Sequence, residues 1–324
     1  MLMNLLAFLG GLVALLIGGR LLVAASVDTA TRLRVSPLVV GLTLVAWGTS
    51  APELALNIVS ALRGRSDMAT GNIVGANICN MALVLGAAAL LRPLVVQERL
   101  IRVEIWLNAG ILVFMAVLGL AAGFQRWEGA VMLFVFGLYS MWTIMAALRA
   151  SAGTVDPTTN VTDPAGNPAP MSWLLIVACF VGGLILLSIG GSFASDGASG
   201  IALALSVPPA VVGVTVVSIG TTLPELVTCV LAVRKGQSDL AMGNAVGSCL
   251  FNAGAIFGLT ALIAPPAAGP TLTAPLLYMA LLALVLIPFS RTDHRTVSRL
   301  EGIVLLGSYA AFLAYAGWQA RAMG

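Results

Sequence analysis

Two stretches of this sequence repeat one another without a gap. VSPLVVGLTLVAWGTSAPEL, from Val35, matches VPPAVVGVTVVSIGTTLPEL, from Val207. At the same offset RGRSDMATGNIVGANICN, from Arg63, matches KGQSDLAMGNAVGSCLFN, from Lys235. More than half of the paired positions are identical, which chance does not explain, so the fold has to accommodate two copies of one supersecondary unit. How the copies are related depends on the medium in which the chain folds.

That medium is lipid. Of 324 residues, 59% are hydrophobic and only 9% charged, against roughly 25% charged in an ordinary soluble domain. A spanning helix needs about 20 mainly apolar residues. Ten segments meet that measure, near 4–25, 37–62, 68–91, 100–122, 127–149, 171–194, 209–233, 240–263, 272–290 and 299–320. The copies occupy the second and third segments, then the seventh and eighth. An odd number of spans separates them, so the second copy crosses the bilayer in the opposite sense. The expected fold is therefore an all-α membrane protein with ten transmembrane helices as two inverted five-helix repeats. Residues 1–149 form the first (motif 35–80) and 171–324 the second (motif 207–252). Between them, 150–170 contains DPTTNVTDPAGNPAP and reads as a flexible cytoplasmic linker.

Basic residues set the orientation. With the N-terminus outside, the inner loops receive Arg32, Arg34, Arg92, Arg99, Arg102, Arg149, Arg234, Lys235, Arg291, Arg295 and Arg299. Only Arg63, Arg65, Arg126 and Arg321 then lie outside, so the positive-inside rule predicts a multi-pass inner-membrane protein with both termini outside. The first apolar run has no Lys or Arg before it and is long, so it reads as a mature helix rather than a secretory signal. Cys79, Cys179, Cys229 and Cys249 all fall within expected spans and read as reduced packing residues.

Each copy carries Gly-Thr-(Ser/Thr)-x-Pro-Glu: Gly48, Thr49, Ser50, Pro52 and Glu53, then Gly220, Thr221, Thr222, Pro224 and Glu225. A carboxylate at mid-span costs several kcal/mol unless it faces the bundle interior and finds a partner. No Lys or Arg lies at that depth, so a cation from outside the chain is the natural partner. Proline removes an amide donor and crowds the carbonyl four residues earlier, which predicts a kink at Gly48 and at Gly220. The kink should free carbonyls near Ala46, Trp47, Val217 and Ser218. Calcium takes 6–8 oxygen ligands, and two carboxylates, hydroxyls and carbonyls supply such a set. In the following span Asn72, Ala76 and Asn80 share one helical face, as do Asn244, Ser248 and Asn252. Gly71 with Gly75, and Gly243 with Gly247, form GxxxG patterns that permit close helix approach. Ser66-Asp67 and Ser238-Asp239 read as caps of the spans that follow.

GTSAPEL with GNIVGANICN, and GTTLPEL with GNAVGSCLFN, resemble the two alpha repeats of the sodium/calcium exchanger family within the calcium/cation antiporter superfamily. The resemblance is specific over the four repeat helices and extends to the whole chain as a five-plus-five layout. It implies that Glu53 and Glu225 ligate calcium and that Thr49 and Thr221 add oxygens. It further implies that Ser50, Thr222 and Ser248 serve sodium positions, that Asn80 and Asn252 border the centre, and that Ala46 and Ser218 contribute carbonyls. Ala76 stands where the second copy has Ser248, which removes a hydroxyl from one sodium position. Asn252 replaces an aspartate found in some prokaryotic and potassium-dependent relatives, which lowers the expectation of potassium dependence.

The function expected is secondary-active sodium/calcium exchange by alternating access, extruding calcium, with proton/calcium exchange as the alternative. No cofactor, nucleic acid or protein partner is expected beyond the transported ions and the bilayer. A cation channel can also use acidic residues, but inverted repeats around one buried site favour a carrier. An intramembrane hydrolase is weaker still, because the only histidine, His294, sits in a charged loop and offers no base.

Overall fold

The protein is described by a computed structural model covering residues 1–121, 123–152, 171–205, 218–266, 270–292 and 294–322. The linker expected at 150–170 is described only to Ala152, and its remainder lies outside the described residues, as does the start of the second motif before Ser218.

Lipid offers no hydrogen bonds to a bare backbone, so apolar segments satisfy their amides internally as helices. α1 is Leu2–Leu33. α2, Pro37–Thr49, and α3, Ala51–Leu62, form one broken span bent by 46°. α4 runs through Ser66–Ile78, a π-helical stretch at Cys79–Val84, and Leu85–Leu91. α5 is Leu100–Ala121, α6 Arg126–Ala152 and α7 Trp173–Ala204. α8, Ser218–Thr221, and α9, Leu223–Arg234, follow. α10 runs through Ser238–Leu250, a second π-helical stretch at Phe251–Ile256, and Phe257–Ile263. α11 is Pro270–Phe289 and α12 Arg299–Ala322.

Among the described residues 8 helices are long and apolar enough to span a membrane, or 9 with the bent pair α2–α3. The seventh expected segment, near 209–233, is described only from Ser218, where α8 and α9 repeat the break of α2–α3. The first and sixth helices are longer than the sequence suggested, α1 reaching Leu33 and α7 Ala204. Polar residues such as Asp28, Thr29 and Asp196 hid those ends from a purely apolar window.

The likeness between the halves extends further than the two motifs. Phe8, Gly10, Gly11, Leu12, Leu15, Ile17, Gly18 and Gly19 recur, at the offset that carries Glu53 onto Glu225, as Phe180, Gly182, Gly183, Leu184, Leu187, Ile189, Gly190 and Gly191. Among them Gly11, Gly18, Gly183 and Gly190 make the α1–α7 contact. A methyl built on Gly11 would come 2.7 Å from the Gly190 carbonyl, and one on Gly18 2.8 Å from the Gly183 carbonyl. Residue numbers rise along one helix as they fall along the other, so the two run antiparallel and meet through equivalent glycines.

Other contacts are reciprocal too. Gly86 of α4 packs on Gly302 of α12, while Gly258 of α10 packs on Gly129 of α6. The Cys249 thiol approaches the Asn77 carbonyl at 3.8 Å, and these two residues are themselves equivalents. α4 and α10 are the most buried spans among the described residues. At one end of the bundle Leu94–Val95 pairs antiparallel with Thr296–Val297, and Gln97 donates to Asp239 at 2.6 Å. Helices α4 and α10 begin at Ser66 and Ser238 as expected, but the residues before them, Arg65 and Gln237, give no side-chain cap, and Asp239 accepts from Gln97; the Asp67 side chain lies outside the described residues.

Candidate cation site

The break in the second span lies at Ser50, whose φ of −89° and ψ of 5° leave the helical region two residues before Pro52. The expected kink is present. The Ala46 carbonyl, expected to be bare, accepts from the Ser50 amide at 3.1 Å and from the Thr49 hydroxyl at 3.4 Å. The helix above the break therefore stays closed, because proline removes the bond to Gly48 rather than the one to Ala46. In the other half Thr222 leaves the helix at φ −94° and ψ 2°, and Val217 lies outside the described residues.

Glu53 and Glu225 open α3 and α9, each in the first turn. They are 4% and 2% exposed. None of the ion pairs among the described residues includes either one. A third buried carboxylate shows the ordinary solution: Glu104 is fully buried, paired with Arg99 at 3.3 Å and contacted by Tyr139 at 3.4 Å. The two repeat glutamates have only neutral groups. Ser50 donates to Glu225 Oε1 at 3.1 Å, a bond that crosses from one half to the other, and Oε2 of both glutamates lacks a partner. Two acidic oxygens without partners in a dry interior are costly unless a cation joins them.

Around them lies a shell of oxygens with spare capacity. Thr49 contacts Asn244 Oδ1 at 3.4 Å. Ser248 is fully buried with its hydroxyl unpartnered, as is the Asn252 carbonyl oxygen. Both polar atoms of the Asn80 amide are likewise unpartnered. Asn80 and Asn252 sit inside the π-helical stretches of α4 and α10, where the wider turn rotates a side chain out of α-helical register. Thr222 is buried, Thr221 half-buried, and Ala76 is buried without an oxygen to offer. Trp47, Phe136 and Phe251 close an apolar wall beside this shell, their centroids 5.7–6.2 Å apart. Among the described residues no cluster of three His, Cys, Asp or Glu exists, so a cation here would rest on two carboxylates and neutral oxygens.

The glycine pairs divide. Gly243 and Gly247 of α10 lie hard against α2: methyls built on them would come 2.5 Å from the Leu38 carbonyl and 2.7 Å from the Leu42 carbonyl. Around Gly71 the described residues leave only Leu272, at 3.8 Å, and around Gly75 nothing within 4 Å. Gly48 fits against Leu184 and Gly220 against Ser195, so both break glycines seat α7.

The glutamates are not equivalent in this conformation. Glu53 lines a cavity of about 330 Å³ together with Pro52, Thr221 and Pro224, whereas Glu225 sits behind Ser50. A second cavity of about 220 Å³ reaches Asn57, Ser60 and Asn72. Sequence reading missed Asn57, Asn77 and Thr228, all buried with unpartnered polar atoms. Asn57 follows Glu53 by one turn and could have been found from that spacing. It also missed the polar face of α7 on the larger cavity.

Comparison with known proteins agrees with this architecture. The family model described as "Sodium/calcium exchanger protein" matches residues 3–145 and 175–318. The sodium/calcium exchanger MaX1 of Methanosarcina acetivorans is 32% identical, covering 96% of this chain and 97% of its own. Inner membrane protein YrbG of Escherichia coli is 30% identical over 97% of this chain and 96% of its own. A solved structure of the sodium-calcium exchanger NCX_Mj superposes with a TM-score of 0.81 at 28% identity, covering 97% of this chain and 99% of that one. These relatives are transporters or membrane proteins rather than enzymes. The chain belongs to the sodium/calcium exchanger protein family and is a calcium/cation antiporter of the prokaryotic type.

Proposed function

We propose that the chain exchanges sodium for calcium by alternating access, moving calcium out of the cytoplasm across the inner membrane. Glu53 and Glu225 hold the calcium. Thr49, Thr221 and the carbonyl of Ser218 add oxygens, Ser50, Thr222 and Ser248 serve sodium, and Asn80 and Asn252 border the centre. The single observation that carries this reading is a pair of buried carboxylates, supplied by matching positions of both halves, that no basic residue neutralises.

Two inverted five-span repeats, 1–149 and 171–324, with both termini outside, complete the reading. The antiparallel α1–α7 contact and the reciprocal α4–α12 and α10–α6 contacts support it. So does a family match that falls once in each half. In that orientation the cavity beside Glu53 opens outward, because the end of α7 nearest Asp196 packs on the start of α1.

Proton/calcium exchange is the second reading. Asn at both 80 and 252 limits the centre to two negative charges, which two protons or one calcium neutralise, whereas three sodium ions leave an excess that low-dielectric burial penalises. Calcium-45 uptake into proteoliposomes separates the two. Uptake driven by internal sodium and abolished by Glu53→Gln or Glu225→Gln supports sodium exchange. Uptake driven only by a pH gradient selects the proton, and flux that persists without any counter-ion, or in either variant, overturns the site.

A further inference from the structure

The cavity beside Glu53 has one wall that the exchange site does not explain. That wall is α7, which turns Ser188, Ser192, Ser195 and Asp196 toward the opening. Positions 188, 192, 195 and 196 are spaced by four, three and one, so they form one stripe along a single helical face. Asp196 is exposed at the mouth, and among the described residues no Lys or Arg lines the cavity. At the other end of the same cavity is Glu53, almost wholly buried, with an oxygen that has no partner. A cation entering here meets a carboxylate, then hydroxyls, then a second carboxylate.

The other half lacks this stripe. At the offset that matches Gly190-Gly191 with Gly18-Gly19, the equivalents of Ser188, Ser192, Ser195 and Asp196 are Leu16, Arg20, Val23 and Ala24. The only charge on that face of α1 is the opposite one, and Arg20 is exposed. In an inverted-repeat carrier, α1 lines the cytoplasmic cavity as α7 lines the present one.

Resting on the exchange reading, we propose that Asp196 and the serines leading inward from it form an outer recruiting site for calcium and sodium. The cytoplasmic mouth, carrying Arg20 in place of Ser192, has no such site. Both mouths lead to the same centre, so the difference acts on capture from each side and not on the ions' final ligands. A cleft lined by one sign of charge raises the local concentration of its counter-ion, and salt screens the effect.

The experiment is counter-ion-driven calcium-45 flux in right-side-out and inside-out membrane vesicles, for the wild type, Asp196→Asn, Asp196→Glu and Arg20→Gln. Asp196→Asn should raise the KM for calcium at the outer face about 3- to 10-fold at low ionic strength, leaving the inner-face KM and maximal rate unchanged. In about 0.5 M choline chloride the difference should shrink below about twofold. Asp196→Glu should restore the wild-type KM, which separates lost charge from damaged packing. Arg20→Gln should lower KM at the inner face only. An unchanged outer KM in Asp196→Asn, or an equal change at both faces, overturns the inference while leaving exchange intact. A wild-type protein without counter-ion-dependent flux overturns the exchange reading beneath it.

Discussion

Gly243→Ala tests whether the oxygen shell is positioned by close packing of α2 on α10. A methyl at Gly243 would lie 2.5 Å from the Leu38 carbonyl and 3.0 Å from the Leu42 amide, and both atoms are backbone that cannot rotate away. Ordinary contact begins near 3.4 Å, so the helices must part by about 0.9 Å. Overpacking of this kind costs about 1–3 kcal/mol, offset by about 1 kcal/mol from the better helix propensity of alanine. The larger consequence falls on the site. Thr49 and Ser50 lie on one side of this interface and Asn244 and Ser248 on the other, and the Thr49–Asn244 contact is already at the limit of a hydrogen bond, 3.4 Å. Misplacing such groups by about 1 Å weakens a preorganised site up to ~100-fold. The expected result is a 10- to 100-fold rise in the calcium KM, roughly, with melting in detergent lowered by a few degrees. Gly137→Ala, whose methyl meets nothing within 4 Å among the described residues, should leave both unchanged. A Gly243→Ala protein that melts early yet keeps the wild-type KM would refute the claim that this interface sets the site.

Ser50→Ala removes a hydroxyl that donates to Glu225 across the halves. A hydrogen bond to a charged group contributes about 1.5–3 kcal/mol, so the calcium KM should rise at least about 10-fold, and Ser50→Thr should recover part of it in the same uptake assay. Gly18→Ala drives a methyl to 2.8 Å from the Gly183 carbonyl and 2.9 Å from the Leu187 amide, whereas Gly10 faces open space. Thermal melting should show the first variant destabilised by about 1–3 kcal/mol and Gly10→Ala unaffected. Glu98 lies on the surface beside the two-stranded clip, where a hydrogen bond from Arg295, and then the charge of Arg102, hold its carboxyl below the usual range. That contribution is present at neutral pH and fades as pH falls through the lowered value. Full exposure makes it small, so Glu98→Gln should shift melting at pH 7 by no more than about 1 °C and transport not at all.

The parts of this protein that were legible in its sequence are those governed by single residues. Apolar runs showed where helices form because lipid leaves the backbone no alternative. Pro52 located the break in the second span, and burial without a basic partner singled out Glu53 and Glu225. What stayed hidden depends on pairs of elements. The α1–α7 glycine contact joins residues far apart in sequence, and its members look like ordinary small residues until the helices meet. The Ala46 carbonyl was misjudged for a similar reason: losing the proline's bond affects one carbonyl, while its neighbours keep theirs. The π-helical stretches around Asn80 and Asn252 leave no local signature, since the extra residue per turn is stabilised by the packing around it.

Two nearly identical motifs occupy different environments in one molecule. Glu53 faces an open cavity and Glu225 lies behind Ser50. The shared motif cannot impose that difference, because Gly-Thr-(Ser/Thr)-x-Pro-Glu-Leu surrounds both glutamates. It must come from how the surrounding helices sit. Gly19 of α1 packs on Val227 and Leu231 of α9, below Glu225, whereas its equivalent on α7, Gly191, sits by Gly220 and Pro224 and leaves space beside Glu53. If α1 and α7 exchanged these positions, the two glutamates would exchange exposure without any change in their own helices. On the exchange reading that is the second facing of the carrier, and the likeness of the halves brings the two facings close in energy. Differences between the halves such as Asp196 against Ala24 and Ser192 against Arg20 are then where unequal capture at the two facings is written.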